Sequence, residues 1–347
     1  MLNVTSEVGR LRKVLVHEPG PEVDSMVPSM MEELLFDDIL FGERAREEHR
    51  RFRRTLNLLG VETIEASTLL AEALAQEGAQ PWMLEILLED VPEVLRPRLM
   101  QLPASELARA LIGGVRRDQQ PTGVEVEDLF LVPPLPNHCF QRDPQVVLQD
   151  GVLYAAMATP ARYREALLAR AIFRFHPHLG AGRTVLDPLS PERNPLLLGV
   201  HRPCIEGGDV EVISRDVVLV GHSERTNRTG IQYMVRALAR MENGPRWLIT
   251  VQLPRRRAYM HLDTVLTLID RDACLVHGPV ILEGGLEQAR VFEVDLHHHD
   301  PEPVAREALL PTLASKGMDL EPVLCGGDDA LDQQREQWTD GANALAL

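Results

Sequence analysis

Three segments of this chain share one design, and nothing else in the sequence limits its fold as tightly. RDPQVVLQDGVLYAAM from Arg142, GGDVEVISRDVVLVG from Gly207 and HLDTVLTLIDRDACLVHG from His261 each pass from an acidic residue through alternating apolar residues to a polar turn and a second apolar run. The turns, at Asp150-Gly151, Arg215-Asp216 and Asp270-Arg271-Asp272, suit β-hairpins. The leading aspartates, Asp143, Asp209 and Asp263, stand 66 and 54 residues apart, which leaves room for a helix and a further strand in each unit. An arginine follows the first two hairpins at similar offset, Arg162 19 residues after Asp143 and Arg225 16 after Asp209. Repeats that present an acid before one strand and a base after the next imply an α/β fold with radial repetition around a shared centre. WTDGANALAL, from Trp338, opens like the others: Asp340 lies 77 residues after Asp263, and a first strand is expected to follow it. The sequence reaches Leu347 before any turn, so the last unit is expected to be incomplete in this chain.

Ahead of these hairpins come a strand, LRKVLVHEPG, and two helical regions. Residues 31 to about 59 have helical apolar spacing, a charged face and Gly60 as a stop. From about Thr68 to Asp118 the chain is rich in Leu, Ala and Glu, with Ser105 expected as an N-cap and Gly113 as a helix stop. The expected division is a small helical insertion over 68–128 within an α/β domain of residues 1–67 and 129–347.

The net charge of −16 over 347 residues disfavours nucleic acid and anionic membrane as partners, because both want a basic face. A small cationic substrate suits it better. Charged residues interrupt the N-terminus where a signal peptide needs an apolar core, and no stretch of about 18 residues is apolar and uncharged. Cys139, Cys204, Cys274 and Cys325 stand far apart without CxxC spacing, as reduced thiols of a cytoplasmic protein do.

Five residues at the expected strand starts carry chemistry: Asp143, Glu206, Asp209, His261 and Asp263. In a strand, His261 and Asp263 share a face. Gly207 and Gly208 permit a tight bend that holds Glu206 and Asp209 together. Convergent carboxylates suit a planar guanidinium, and Arg162 and Arg225 suit a substrate carboxylate in the same way. Acids at one end and arginines at the other describe a site for free arginine. Each feature also has an ordinary reading: a structural GGD bend, a structural hydrogen bond at HLD, and surface ion pairs for the arginines.

In combination the motifs resemble arginine deiminase, of the guanidino-group-modifying superfamily. They are VTSEVGRLRKVLVHEPG, ELLFDD (Glu33 to Asp38), PLPNHCFQRDP (Pro134 to Pro144), PARYRE (Pro160 to Glu165), IEGGDV, MHLDTV and REQWTDGANALAL, in order along nearly the whole chain. The resemblance implies a five-bladed α/β propeller, or pentein, of ββαβ units with a helical bundle inserted. It implies that Asp143 and Asp263 grip the substrate guanidinium and that His261 is general acid and base, oriented by Glu206. It further implies that Asp209 meets the α-amino end of the substrate and that Arg162 and Arg225 bind its α-carboxylate, with Asn137 nearby. The resemblance also implies conversion of L-arginine to citrulline and ammonia without metal or organic cofactor, and a homo-oligomer is compatible with it.

The family's chemistry is covalent, through a cysteine thiolate near the C-terminus in a Gly-rich segment that this sequence does not reach. The expectation is therefore that residues 1–347 alone are inactive, with none of the four cysteines as nucleophile; Cys139 is the one nearest a site motif. Other readings are a metallohydrolase using His261, Asp263, Asp209 and the run DLHHHDPEP from Asp295, a non-catalytic arginine-binding protein, and an amidinotransferase of the same superfamily.

Overall fold

In a computed structural model the chain is described for residues 2–34, 36, 38–87, 91–117, 123, 125–180, 182–189 and 202–347. It divides into two compact units, one of residues 11–144 and 159–182, the other of residues 2–10, 145–158 and 183–347.

The first unit opens on a parallel pair, β1 (Lys13–Val16) beside β2 (Glu62–Glu65), joined by helix α1 (Gly42–Leu58). Its main helical layer comprises α2 (Ala66–Leu74), α3 (Ala79–Ile86), α4 (Ala104–Gly113) and α5 (Tyr163–Phe175). Helix α2 packs on α4 and α5, burying Leu70, Ala73, Leu74, Leu107 and Leu111. Immediately after β1, buried His17 meets two carboxylates: Nδ1 lies 2.8 Å from Glu65 and Nε2 3.2 Å from Glu22. Burial lowers the pKa of this imidazole, but hydrogen bonds and charge attraction to Glu22 and Glu65 outweigh it and push the value up to about 9.

Two expectations for this unit need correction. The helix read over 31–59 is broken into Met31–Leu34 and α1, because Phe41 is extended (φ −81°, ψ 99°) and Gly42 comes so close to the Asp24 carboxylate that no Cβ fits. Leu35 and Asp37 of the ELLFDD motif, and Asp118 at the end of the second helical region, lie outside the described residues. Ser105 is not the cap of α4; Pro103 is, whereas Gly113 does end that helix, with Gly114 at φ 81° as its C-cap. Gly60 does stop α1, at φ 82°.

In the second unit all three expected hairpins form, antiparallel: β3 (Gln145–Leu148) with β4 (Gly151–Tyr154), β6 (Val210–Val212) with β7 (Val217–His222), and β9 (Leu266–Asp270) with β10 (Ala273–Val276). Each gains a strand parallel to its second member: β5 (Arg183–Leu186) on β4, β8 (Trp247–Gln252) on β7 and β13 (Glu321–Leu324) on β10. Helices lie between in the chain, among them α6 (Arg228–Leu238) before β8 and Leu309–Ala314 before β13. A further hairpin, β11 (Arg290–Asp295) and β12 (Val304–Arg306), extends the second sheet to five strands, in the order β12-β11-β8-β7-β6. One apolar cluster, with Val146, Leu153, Val210, Val218 and Leu248, packs under the first two hairpins; another, with Leu219, Ile249, Val265, Leu266 and Val276, packs under the third.

Two details differ from expectation. Leu148 pairs with Gly151, so Gln149 and Asp150 make the first turn, and Gly151 serves a close approach: a Cβ there would meet Val185 at 2.6 Å and Arg183 O at 2.7 Å. Second, WTDGANALAL is not a strand. Helix α7 (Ala330–Trp338) runs into it, Asp340 turns at φ 52°, and the backbone bonds back through Gly341 N to Glu336 O and Asn343 N to Asp340 O. A strand needs a partner ladder, and those amides are spent locally.

Candidate active site

Each unit contributes one cluster of expected site residues. In the second unit the acids do not begin strands; they sit in single 3₁₀ turns just before them. Gly207–Asp209 is the turn ahead of β6, and Leu262–Thr264 the turn ahead of β9. This corrects the strand argument for His261 and Asp263: β9 starts only at Leu266, because Val265 N bonds to Leu262 O and the Thr264 hydroxyl donates to His261 O at 2.6 Å. The two side chains nevertheless converge. A Cβ on Gly208 would stand 2.8 Å from Cγ and Nδ1 of His261 and 2.9 Å from Asp263 Oδ2, so glycine is required where the two functional groups meet.

His261 Nε2 lies 2.9 Å from Glu206 Oε2, with Glu206 fully buried and His261 5% exposed. The second Glu206 oxygen accepts Ala158 N at 2.8 Å, and Arg225 Nη1 stands 3.8 Å from it. A buried carboxylate so engaged stays in place and fixes the orientation of the ring opposite. Asp209, also fully buried, accepts Leu262 N at 3.0 Å and the Ser223 hydroxyl at 2.6 Å. Burial pushes its carboxyl up to about 6, against the pull of His261 and of the Ser223 and Thr226 hydroxyls. Asp340 belongs to the same electrostatic neighbourhood: partial burial raises its carboxyl and His261 lowers it.

In the first unit Arg162, 4% exposed, sits between two carboxylates at the start of α5. Its Nη1 is 2.8 Å from Asp143 Oδ2, while Nε and Nη2 donate to the buried Glu165 at 3.1 and 2.8 Å. The Phe140 ring lies 6.0 Å from the guanidinium carbon. Asn137 is buried in the 3₁₀ turn Pro136–Cys139 and donates to Leu34 O at 3.2 Å. Glu165 was not singled out from the sequence, although its place three residues after Arg162 at a helix start was a usable signal.

None of the four thiols is set up to ionise. Burial, with Glu165 adding to it, raises Cys139 to about 12; burial raises Cys274 to about 11 and also raises Cys204 and Cys325. The metal reading finds no geometry: among the described residues no group of three His, Cys, Asp or Glu side chains could hold an ion. His297, His298 and His299 lie exposed in a turn, where His298 Nδ1 pairs with the Asp300 backbone. No helix among the described residues is long and apolar enough to cross a membrane.

Compared with known proteins, residues 32–347 match the family model for arginine deiminase. The chain belongs to the arginine deiminase family. Arginine deiminase of Limosilactobacillus fermentum is 34% identical over all of this chain and 86% of its own length. Those of Streptococcus pyogenes serotype M49 and Bacillus cytotoxicus are each 32% identical with the same coverage. Among solved structures, SxtG, an amidinotransferase from Microseira wollei, superposes with a TM-score of 0.48 at 15% identity over 93% of this chain and 75% of its own. DDAH from Pseudomonas aeruginosa, solved with citrulline, gives 0.42 at 15% over 77% and 69%.

Proposed function

We propose that this arginine deiminase family protein hydrolyses L-arginine to L-citrulline and ammonia. The observation that carries the proposal is the buried His261–Glu206 pair with Asp263 beside it around Gly208. In this reading Asp143 and Asp263 hold the guanidinium, while Arg162 and Arg225 take the α-carboxylate, with Asn137 near. Asp209 is assigned by resemblance to the α-amino end, though its oxygens already serve Leu262 and Ser223. A cysteine thiolate adds to the guanidinium carbon, and His261, oriented by Glu206, gives a proton to the departing nitrogen, which leaves as ammonia. The neutral ring then takes one proton from water, whose oxygen attacks the thiouronium carbon; the adduct collapses to release the thiolate and citrulline, and the remaining hydroxyl proton passes to solvent. The raised pKa values of Cys139, Cys204, Cys274 and Cys325 argue that none of them is that nucleophile. The same values favour, as a second reading, an arginine-binding protein without turnover.

The three repeats of hairpin, helix and parallel strand support blades of a five-bladed α/β propeller, with 68–128 a helical insertion in a catalytic domain of 1–67 and 129–347. The test is citrulline release by the protein expressed from its complete gene, as wild type and as His261→Gln. Turnover in the first and loss of at least about a hundredfold in the second is expected. Saturable arginine binding without turnover selects the second reading. Turnover that survives His261→Gln, or no binding at all, overturns the proposal.

A further inference from the structure

The turn that follows β7, Ser223 to Thr226, touches the second-unit cluster at both of its ends. The Ser223 hydroxyl donates to Asp209 Oδ2 at 2.6 Å and accepts the backbone N–H of Arg225 at 3.0 Å and of Thr226 at 3.1 Å. Thr226 Oγ1 accepts Glu206 N at 3.1 Å. Ser223 N closes the turn on Thr226 O at 3.1 Å. Through Asp209 the hydroxyl reaches one step further, since the other carboxylate oxygen accepts Leu262 N, the amide between His261 and Asp263. Two residues before the serine, Gly221 lies so close to Asp209 Oδ1 that a Cβ would collide with it, and such a Cβ would also stand 3.1 Å from Leu262 Cβ. The strand thus gives up a side chain to let this carboxylate through.

We propose that Ser223 is a positioning residue for the reaction: one hydroxyl oxygen sets both the Asp209 carboxylate, which holds the His261–Asp263 turn, and the backbone from which Arg225 projects. This rests on the reading of His261, Asp263 and Arg225 given above. A lone serine oxygen with one charge-assisted donation and two accepted amides has its capacity filled, which fixes its rotamer. Without it, Asp209, beside His261 and Glu206, loses its shortest donor and keeps the Leu262 amide and the Thr226 hydroxyl, so its ionised form is less well held and its carboxyl titrates at higher pH.

Ser223→Ala and Ser223→Thr separate positioning from packing. In Ser223→Ala the dissociation constant for L-arginine, by calorimetry, rises about tenfold or more, as expected for a hydrogen bond to a charged group, and the acid limb of binding moves to higher pH. The amide of Leu262 exchanges faster with solvent. Ser223→Thr, which keeps the hydroxyl, restores all three readouts to near wild type. Ser223→Ala within twofold of wild type in affinity, pH limb and Leu262 exchange overturns the proposal. Equal affinity losses in Ala and Thr with no shift of the pH limb overturn it too, because a packing defect explains them. Should the wild type fail to bind arginine, the functional reading fails, and Leu262 exchange together with titration of the His261 ring by NMR still decides the role of Ser223.

Discussion

Replacing His17 by glutamine should remove a pH-dependent stabilisation whose size follows from the structure. The ring is 5% exposed, between Glu22 and Glu65, and its pKa rises from 6.5 to about 9. At about 1.4 kcal/mol per pKa unit, a rise of roughly 2.5 units corresponds to about 3 kcal/mol of stability. The folded-state value is the raised one, so the folded chain holds a proton that the unfolded chain has released between about pH 6.5 and 9. The stabilisation is therefore fully present below about pH 6.5 and is lost as pH rises through about 9. Urea unfolding followed by circular dichroism, at several pH values for wild type and His17→Gln, measures it. The stability gap between the two should be widest near pH 6 and about 3 kcal/mol narrower near pH 10. A gap that stays constant across this range refutes the reasoning, since the imidazole would then be no more basic folded than unfolded.

Gly208→Ala places a methyl group 2.8 to 2.9 Å from His261 and Asp263, and turnover should fall at least about a hundredfold with the far-ultraviolet spectrum unchanged; wild-type kinetics would rule out that convergence. Glu165→Gln weakens a charge-assisted pair on Arg162, which should raise KM for L-arginine about tenfold and lower the thermal midpoint by a few degrees; steady-state kinetics and calorimetry would read both. Cys139, with its thiol at about 12, should resist iodoacetamide at pH 8 in the folded protein, and Cys139→Ser should leave arginine binding unchanged; rapid alkylation followed by mass spectrometry would contradict this.

Much of this arrangement could be read from spacing. Alternation of apolar residues identified the three hairpins because each strand has a face in an apolar core, and the acids ahead of them marked where the clusters lie. What spacing did not reveal are the 3₁₀ turns. Three residues are too few for a periodicity, and HLD reads equally as strand or turn until Thr264 is seen to bond His261 O. Glu165 and Ser223 escaped for a related reason: each acts through another residue, and although Glu165 closes the PARYRE motif, that motif alone does not tell a partner of Arg162 from an ordinary helix residue. The strand expected after Trp338 rested on likeness to the other units, whereas its backbone bonds are made to α7 and within its own turn. Gly151 was assigned to a turn by composition, and only the neighbouring strand shows that it is there for close packing.

If Asp143 and Arg162 have the proposed roles, their pairing makes substrate entry an exchange of partners. On those roles, the incoming guanidinium displaces an internal guanidinium from Asp143, and the displaced Arg162, still paired with Glu165, offers its Nη1 to the substrate's own carboxylate. A ligand with both ends completes the exchange. One with the guanidinium alone would break the Arg162–Asp143 hydrogen bond and put none in its place, a loss of about 1.5 to 3 kcal/mol, roughly ten- to a hundredfold in affinity, with Glu165 still balancing the charge. The protein would thus discriminate against a decarboxylated arginine through its own resting ion pair, with no group placed to repel it.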